Sequence, residues 1–299
     1  MTHAGETPES ARLLDDLGRR MLRRRVDALK SLPTFPESIV RISGVLADDA
    51  GGASFGRIAA LIETDPVLTA RILRLVNAAF YGVSGAIASV GDALVMLGLD
   101  IVRGLILSTA AMELAHGRRG VRGLWEHSYG AATAAVALGR VLGLPRVEEI
   151  SAAALMHDIG KVVLQSQLGR EYDDVVAHAL AHGLHIRDAE TALLGVAHDE
   201  IGRWLVTRWR LPAALAEPIA LHHAPEAARQ HREATAAVHV ADLMIRAYGF
   251  GFAGDERMPE MSPEAWKILR LNPRKLREAV ERMHATLQEA LVQANLYIE

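Results

Sequence analysis

The stretch Ile150-Ser151-Ala152-Ala153-Ala154-Leu155-Met156-His157-Asp158-Ile159-Gly160-Lys161 decides how this chain is read. Its alanine-rich first half has the composition of a helix buried among other helices, because alanine is the strongest helix former and every side chain up to Met156 except Ser151 is apolar. A His-Asp pair at the end of such a segment is out of place. A carboxylate carried toward an apolar interior is unfavourable unless something pairs with it. Taken alone, His157-Asp158 is more simply a helix-terminal aspartate beside a hydrogen-bonded core histidine than a pair of ligands.

Working outward, the pair has company. His127 lies upstream within a helical pattern that begins at Trp125, and His198-Asp199 lies downstream at the start of another. His222-His223 ends the helix that Pro212 opens, and Asp242 sits in the apolar helix Ala237 to Tyr248. Five histidines and two aspartates on separate helices can converge on one or two cations, and two adjacent ligand pairs are natural bridges in a two-metal site. Such a site can polarise a phosphoryl oxygen and generate a hydroxide nucleophile. The chain has no cysteine, so a metal here rests on imidazole, carboxylate or water, which favours iron, manganese, zinc or magnesium.

Almost every segment between glycines and prolines has helical period, and alternating β-branched runs are missing, so the fold class is all-α. Residues 10 to 30 read as an opening helix with Arg19, Arg20, Arg23, Arg24 and Arg25, stopped by Pro33 and Pro36. The arginine run is read as a solvated helix face before it is read as a contact for an acidic partner. Short capped helices follow: one holding Ile58, Leu61 and Ile62, one over Val67 to Phe80, a segment from Ser89 to Gly98, and an apolar helix from Ile101 to Leu114. The Gly- and Arg-rich segment His116 to Gly123 breaks the pattern and is taken as the boundary between two lobes. Beyond it, helices are expected at 125–142, 147–158, 171–182, 187–194, 198–209, 212–223 and 233–247, with Gly143, Gly160, Gly183 and Pro212 as separators. A last helix runs from about Pro273 to Ala294.

Thirty-three basic against 36 acidic residues give a formal charge of −3, without the electrostatic footprint of a nucleic-acid binder. The apolar stretches Leu105 to Met112 and Ala131 to Leu138 are too short and too close to charges for a membrane span, and the acidic start of the chain does not look like a signal peptide. A soluble, cytoplasmic protein is expected. His178, His182 and His185 form a rival cluster, but Tyr172, Asp173, Asp174 and Gly183 around it mark a solvent-facing helix. His239, three residues before Asp242, reads as a core packer able to face the same pocket.

The order H…HD…H…HH…D resembles the HD superfamily of metal-dependent phosphohydrolases, and Lys161 matches the lysine of that family's HDxGK motif. The wider chain resembles HDOD domains, the HD-related output domains. This rests on Leu32-Pro33 to Pro36, Asp65-Pro66-Val67-Leu68, Ile72 to Asn77, Tyr81-Gly82 and Ala93 to Gly98 in the first half. In the second half it rests on Trp125-Glu126-His127-Ser128, Leu155 to Leu164, Glu190 with Gly195 to His198, and Trp209 to Pro212. The match spans residues 31 to about 245. It implies a helical lobe in front of an HD-like lobe and a signalling or regulatory output module of a kind mostly without demonstrated catalysis. Such modules are often joined to receiver, GGDEF or EAL domains, none of which is present here. After His222-His223 the chain reads Ala224-Pro225-Glu226, without the Gly-Tyr-Pro segment of the cyclic di-GMP phosphodiesterases, and position 123 is Gly where some trinuclear members carry a glutamate ligand.

These readings give a two-lobed helical protein: an N-terminal helix over 1–30, a front lobe over 31–118, an HD-like lobe over 119–250 and a helical extension over 251–299. The expected metal ligands are His127, His157, Asp158, His198, His222, His223 and Asp242, around a divalent, dinuclear centre of Fe, Mn or Zn. The expected partner is a signalling protein or a nucleotide. If the protein is instead a phosphohydrolase acting on a cyclic dinucleotide or a nucleotide, Asp158 serves the reaction and Lys161 contacts the substrate phosphate.

Overall fold

The computed structural model describes residues 55–63, 69, 73, 89–98, 102 and 123–296. The arginine-rich helix at 10–30, the helices expected at Val67 to Phe80 and Ile101 to Leu114 apart from Thr69, Leu73 and Val102, and most of the segment taken as the lobe boundary lie outside the described residues. Within them every regular element is helical, as the periodicity predicts. No helix among the described residues is long and apolar enough to cross a membrane.

Two helices of the front half are described, α1 (Phe55–Ile62) and α2 (Val90–Leu97), and they pack on each other. Ser89 caps α2 by accepting the Asp92 N–H at 3.0 Å. Ile58, Ile62, Val90, Ala93 and Leu94 form their buried face.

The second half is built around α3 (Leu124–Leu142), which is buried through its middle by Ala131, Ala132, Ala134, Ala135 and Leu138. Against it lie α4 (Val147–Met156), α10 (Arg232–Tyr248) and α12 (Pro273–Leu296). The run of small residues on α3 permits this crowding. At Gly130 a methyl group would stand 2.4 Å from the Ile245 side chain, so α10 crosses α3 where α3 has no Cβ. The last helix, α12, buries Ala279, Met283 and Leu287.

Between these run α5 (Ile159–Leu168), α6 (Arg170–His182), α7 (Ile186–Leu194), α8 (His198–Arg208) and α9 (Ala213–Leu221), then a short turn of 3-10 helix at Pro225–Ala227. A short α11 (Pro263–Ile268) precedes α12. Most expected helix ends agree within two residues. The exceptions are α11, which was not expected, and α5. The sequence reading ends a helix at 158 and takes Gly160 as a separator, whereas the chain re-enters a helix at Ile159 and runs on to Leu168. Gly160 serves close approach rather than termination: a Cβ there would lie 1.9 Å from the carbonyl oxygen of His198. Glycine at this position lets α5 cross the start of α8 backbone to backbone, which brings Asp158 and His198 together.

Candidate metal centre

Each expected ligand sits where a helix begins, ends or faces the interior. His127 is in the first turn of α3 and His157-Asp158 links α4 to α5. His198 opens α8, His222-His223 follows α9, and Asp242 lies mid-way along α10. All seven converge. His127, His157, Asp158, His198, His222 and Asp242 are buried, and His223 is partly exposed.

Two clusters form. The ligand atoms of His127, His157 and Asp158 lie within 4.8 Å of one another, as do those of His198, His222 and His223. Asp242 completes the first, with Oδ1 at 3.1 Å from His127 Nε2 and 3.8 Å from His157 Nε2. Asp158 stands between them. Its Oδ2 is 3.6 Å from His127 Nε2 and 3.3 Å from His157 Nε2. Its Oδ1 is 3.3 Å from His198 Nε2 and 3.9 Å from His222 Nε2.

The outer ring nitrogens fix where the lone pairs point. His157 Nδ1 donates to the Ala154 carbonyl at 2.6 Å and His222 Nδ1 to the Ile219 carbonyl at 3.0 Å. His198 Nδ1 donates to Glu190 Oε2 at 2.6 Å. Each of these rings therefore turns a bare Nε2 inward. There His127 Nε2 meets His157 Nε2 at 3.3 Å, and His198 Nε2 meets His223 Nε2 at 3.0 Å. A bare Nε2 facing another imidazole nitrogen at such distances needs a cation or a proton between the two. The Asp158 Oδ1 and His222 Nε2 atoms are buried with no hydrogen-bond partner.

With the exception of His157, the shifted groups favour the protonation states that suit a cation. Burial alone would raise the Asp158 carboxyl, but His157 and Lys161 outweigh it and hold it well below the usual range. Asp242 is likewise held down, by Arg246 and His127 against burial. Burial lowers His127 and, reinforced by neighbouring imidazoles, lowers His223 well below its ordinary value and His222 to about 3. His157 goes the other way: burial would lower it, but Asp158 and Asp242 together outweigh burial and raise it, so a bound cation takes the place of its proton. Ionised carboxylates and neutral imidazoles are the forms that ligate metal, and the cysteine-free donor set fits a borderline or hard divalent ion.

Two buried cations close the site. Lys161 Nζ donates to Asp158 Oδ2 at 2.6 Å and to the Ala253 carbonyl at 2.8 Å. Arg246 donates through Nε to Asp242 Oδ1 at 3.0 Å and through Nη1 to Asp255 Oδ1 at 3.2 Å. Both tie the pocket to the strap 249–258, whose Phe252 N–H donates to the Gly123 carbonyl at 2.9 Å and whose Asp255 accepts the Ile186 N–H at 2.9 Å. Gly251 lies against the His127 backbone. Gly123, at φ 80°, has Phe252 2.9 Å from where its Cβ would be, so no glutamate fits at that position beside the strap. Between the strap, His127, Ile245 and Arg246 is a cavity of about 110 Å³.

The rival histidines do not assemble into such a site. His182 is exposed and His178 half-buried, with their rings 4.1 Å apart and His182 Nδ1 bonded to the His178 carbonyl. His239 is a packer: Nδ1 donates to the His222 carbonyl at 2.8 Å and Nε2 accepts from Ser262 N–H at 3.0 Å. Burial, the largest influence on it, keeps it neutral by lowering its pKa. Sequence reasoning missed Arg246, Tyr172 and the strap. Only Arg246 carried a local signal, being one helical turn after Asp242.

A family model of the HDOD domain matches residues 32–225. The chain belongs to the HDOD family. Asp242, Arg246 and the strap lie beyond the matched span of the HDOD domain. An uncharacterized protein of Treponema pallidum (strain Nichols) is 25% identical over 223 residues, 74% of this chain and 43% of the relative. The alignment thus spans less than half the length of that curated relative. Among solved structures, an HDOD domain protein of unknown function from Geobacter sulfurreducens is 28% identical, with 93% of this chain and 96% of that chain covered at a TM-score of 0.62. A candidate signal transduction protein from Marinobacter aquaeolei VT8 shares the fold at 20% identity and a TM-score of 0.65, covering 95% of this chain and 66% of its own.

Proposed function

We propose that this HDOD protein is a signalling or regulatory module whose HD-like lobe, residues 119–250, holds a divalent metal pair in a closed pocket. The front lobe, residues 31–118, and the strap carry the response to a nucleotide or a protein partner, and residues 251–299 extend the HD-like lobe. The observation that carries this reading is that the donor set is complete and yet, His223 apart, buried. Lys161, the residue that would meet a substrate phosphate, is buried between Asp158 and the Ala253 carbonyl. The adjoining cavity of about 110 Å³ is well below the roughly 300–1,000 Å³ of pockets that take small-molecule ligands.

In this reading His127, His157, Asp158 and Asp242 would hold one ion and His198, His222, His223 and Asp158 the other, with Fe, Mn or Zn as candidates. When bound, such ions supply Lewis acidity and an acidified water. The chain's own residues do the rest. Asp158 spans both clusters, Lys161 and Arg246 neutralise the two carboxylates, and the strap excludes bulk water. The test is turnover. With metal loaded, the purified chain is expected to hydrolyse neither an aryl phosphodiester nor a cyclic dinucleotide at an enzyme-like rate, on the order of 1 s⁻¹ or more. Such turnover, abolished by His157→Ala and by Asp158→Ala, would contradict the regulatory reading.

One observation favours a second reading, a metal-dependent phosphohydrolase: all seven ligand positions are filled, and Asp158 Oδ1 and His222 Nε2 remain unpartnered. That reading requires the strap to open, freeing Lys161. Replacing Ala253 leaves the carbonyl in place, so the informative variant is deletion of residues 250–254. It is expected to raise phosphodiester turnover if the strap is a cover over an active centre.

A further inference from the structure

We propose that Glu190, anchored by Tyr172, is the positioning residue for the His198, His222 and His223 half of the pocket, so that the two halves load metal with separate strengths. The inference rests on the metal-pocket reading and assigns a role inside it.

Tyr172 on α6, Glu190 on α7 and His198 at the head of α8 form a chain, each with no exposed surface. The Tyr172 hydroxyl donates to Glu190 Oε1 at 2.7 Å. Glu190 Oε2 accepts the His198 backbone N–H at 2.8 Å and the His198 Nδ1–H at 2.6 Å. The backbone contact caps an N–H that the first turn of a helix leaves without a partner. The ring contact fixes the tautomer. One carboxylate thus locks both the position of His198 and the direction of its Nε2 lone pair, which points to His223 and to Asp158 Oδ1.

The three imidazoles with a described outer partner are not equal. His157 and His222 lean on backbone carbonyls three residues back in their own helices. His198 leans on an anion. A carboxylate behind an imidazole makes it a stronger donor and fixes its ring, and losing such a partner typically weakens metal binding about 10- to 100-fold.

The charge distribution makes this selective. The His127 and His157 half has two carboxylates at hand, Asp158 Oδ2 and Asp242 Oδ1. The other half brings together three imidazoles and Asp158 Oδ1, with no second carboxylate in the cluster of candidate ligand atoms among the described residues. Glu190 places a carboxylate directly behind the His198 ring, whereas Asp199, the other acid close to His198 and His222, is paired to Arg187. Tyr172, fully buried and bonded to the same carboxylate, keeps Glu190 turned toward His198.

The test is a Zn²⁺ titration of the metal-free full chain against a chromophoric chelator, with circular dichroism recorded on the same samples. The wild type is expected to bind two ions. Glu190→Gln is expected to weaken one binding event about 10- to 100-fold and leave the other and the helicity unchanged. Tyr172→Phe is expected to weaken the same event several-fold, and it decides the matter if Glu190→Gln does not fold. The proposal falls if the variants bind as the wild type does, or if both events weaken equally in a variant whose helicity is unchanged. A wild type that binds no metal overturns the metal-pocket reading and this inference with it. A wild type that binds metal while Glu190→Gln and Tyr172→Phe do nothing overturns the inference alone.

Discussion

Replacing Gly160 by alanine places one methyl group where α5 and α8 touch. Its Cβ would stand 1.9 Å from the His198 carbonyl oxygen, 2.8 Å from the His198 carbonyl carbon and 3.0 Å from the Gly202 nitrogen. These are backbone atoms, so no side-chain rotation relieves the clash. Restoring a C···O contact of about 3.3 Å requires the helices to part by more than 1 Å. Overpacking of this kind costs about 1–3 kcal/mol, and the clash with rigid backbone argues for the upper end. Alanine in a helix returns at most about 1 kcal/mol relative to glycine. The net expectation is a loss of about 2 kcal/mol, or roughly 3 °C in melting temperature for a chain of this size. Thermal and urea unfolding of the metal-free protein measure it. The helix shift also draws His198 away from Asp158 Oδ1, now 3.3 Å distant, so Zn²⁺ affinity falls as well. Gly91→Ala is the control: its Cβ meets Ser89 Oγ at 3.6 Å and Ala59 Cβ at 3.9 Å, ordinary contacts. It should be neutral or stabilising. A Gly160→Ala protein as stable as the wild type would refute the reasoning that glycine is required at this crossing.

Arg246→Leu strands the buried carboxylates of Asp242 and Asp255, and its urea unfolding should show a loss of about 3–5 kcal/mol; a loss under about 1 kcal/mol would count against the closing role of Arg246. In the metal-free protein, burial and the nearby His157 and His198 hold His222 down to about 3 against an ordinary 6.5. Between those values the unfolded chain takes up a proton that the folded chain refuses, so the His222 contribution is whole above 6.5 and is lost as pH falls toward 3. His222→Gln should flatten that slope; identical pH profiles of melting temperature for both proteins would contradict it. Ser262 accepts the Ala265 N–H at the start of α11, and Ser262→Ala should lower stability by about 1 kcal/mol in the same unfolding assay.

The convergence of these histidines and aspartates was legible in the sequence because they carry chemistry that is costly in an apolar helix. His157-Asp158 and Asp242 stood out for that reason, and their order gave the family. The helical pattern was legible too, from Leu124 to Tyr248, because glycine and proline mark most of its breaks. It failed at Gly160, since a glycine that ends a helix and one that lets two helices touch look the same along a sequence. The closure was invisible for a different reason. Lys161 meets Ala253 across 92 positions and Asp255 meets Ile186 across 69, and periodicity carries no information over such distances. Glu190 was legible only as part of a family motif; its partner Tyr172 is set by the packing of α6 on α7, and His198 follows across the turn into α8.

The most direct test is the metal content of the full chain, purified without chelator, by elemental analysis beside a His157→Ala, Asp158→Ala double variant. Two equivalents of a transition metal in the wild type, falling to one or none in the variant while the helical spectrum stays unchanged, is the expected result. A wild type that carries no metal, and takes up none when offered Fe²⁺, Mn²⁺ or Zn²⁺, would contradict the claim that these helices close around a metal centre.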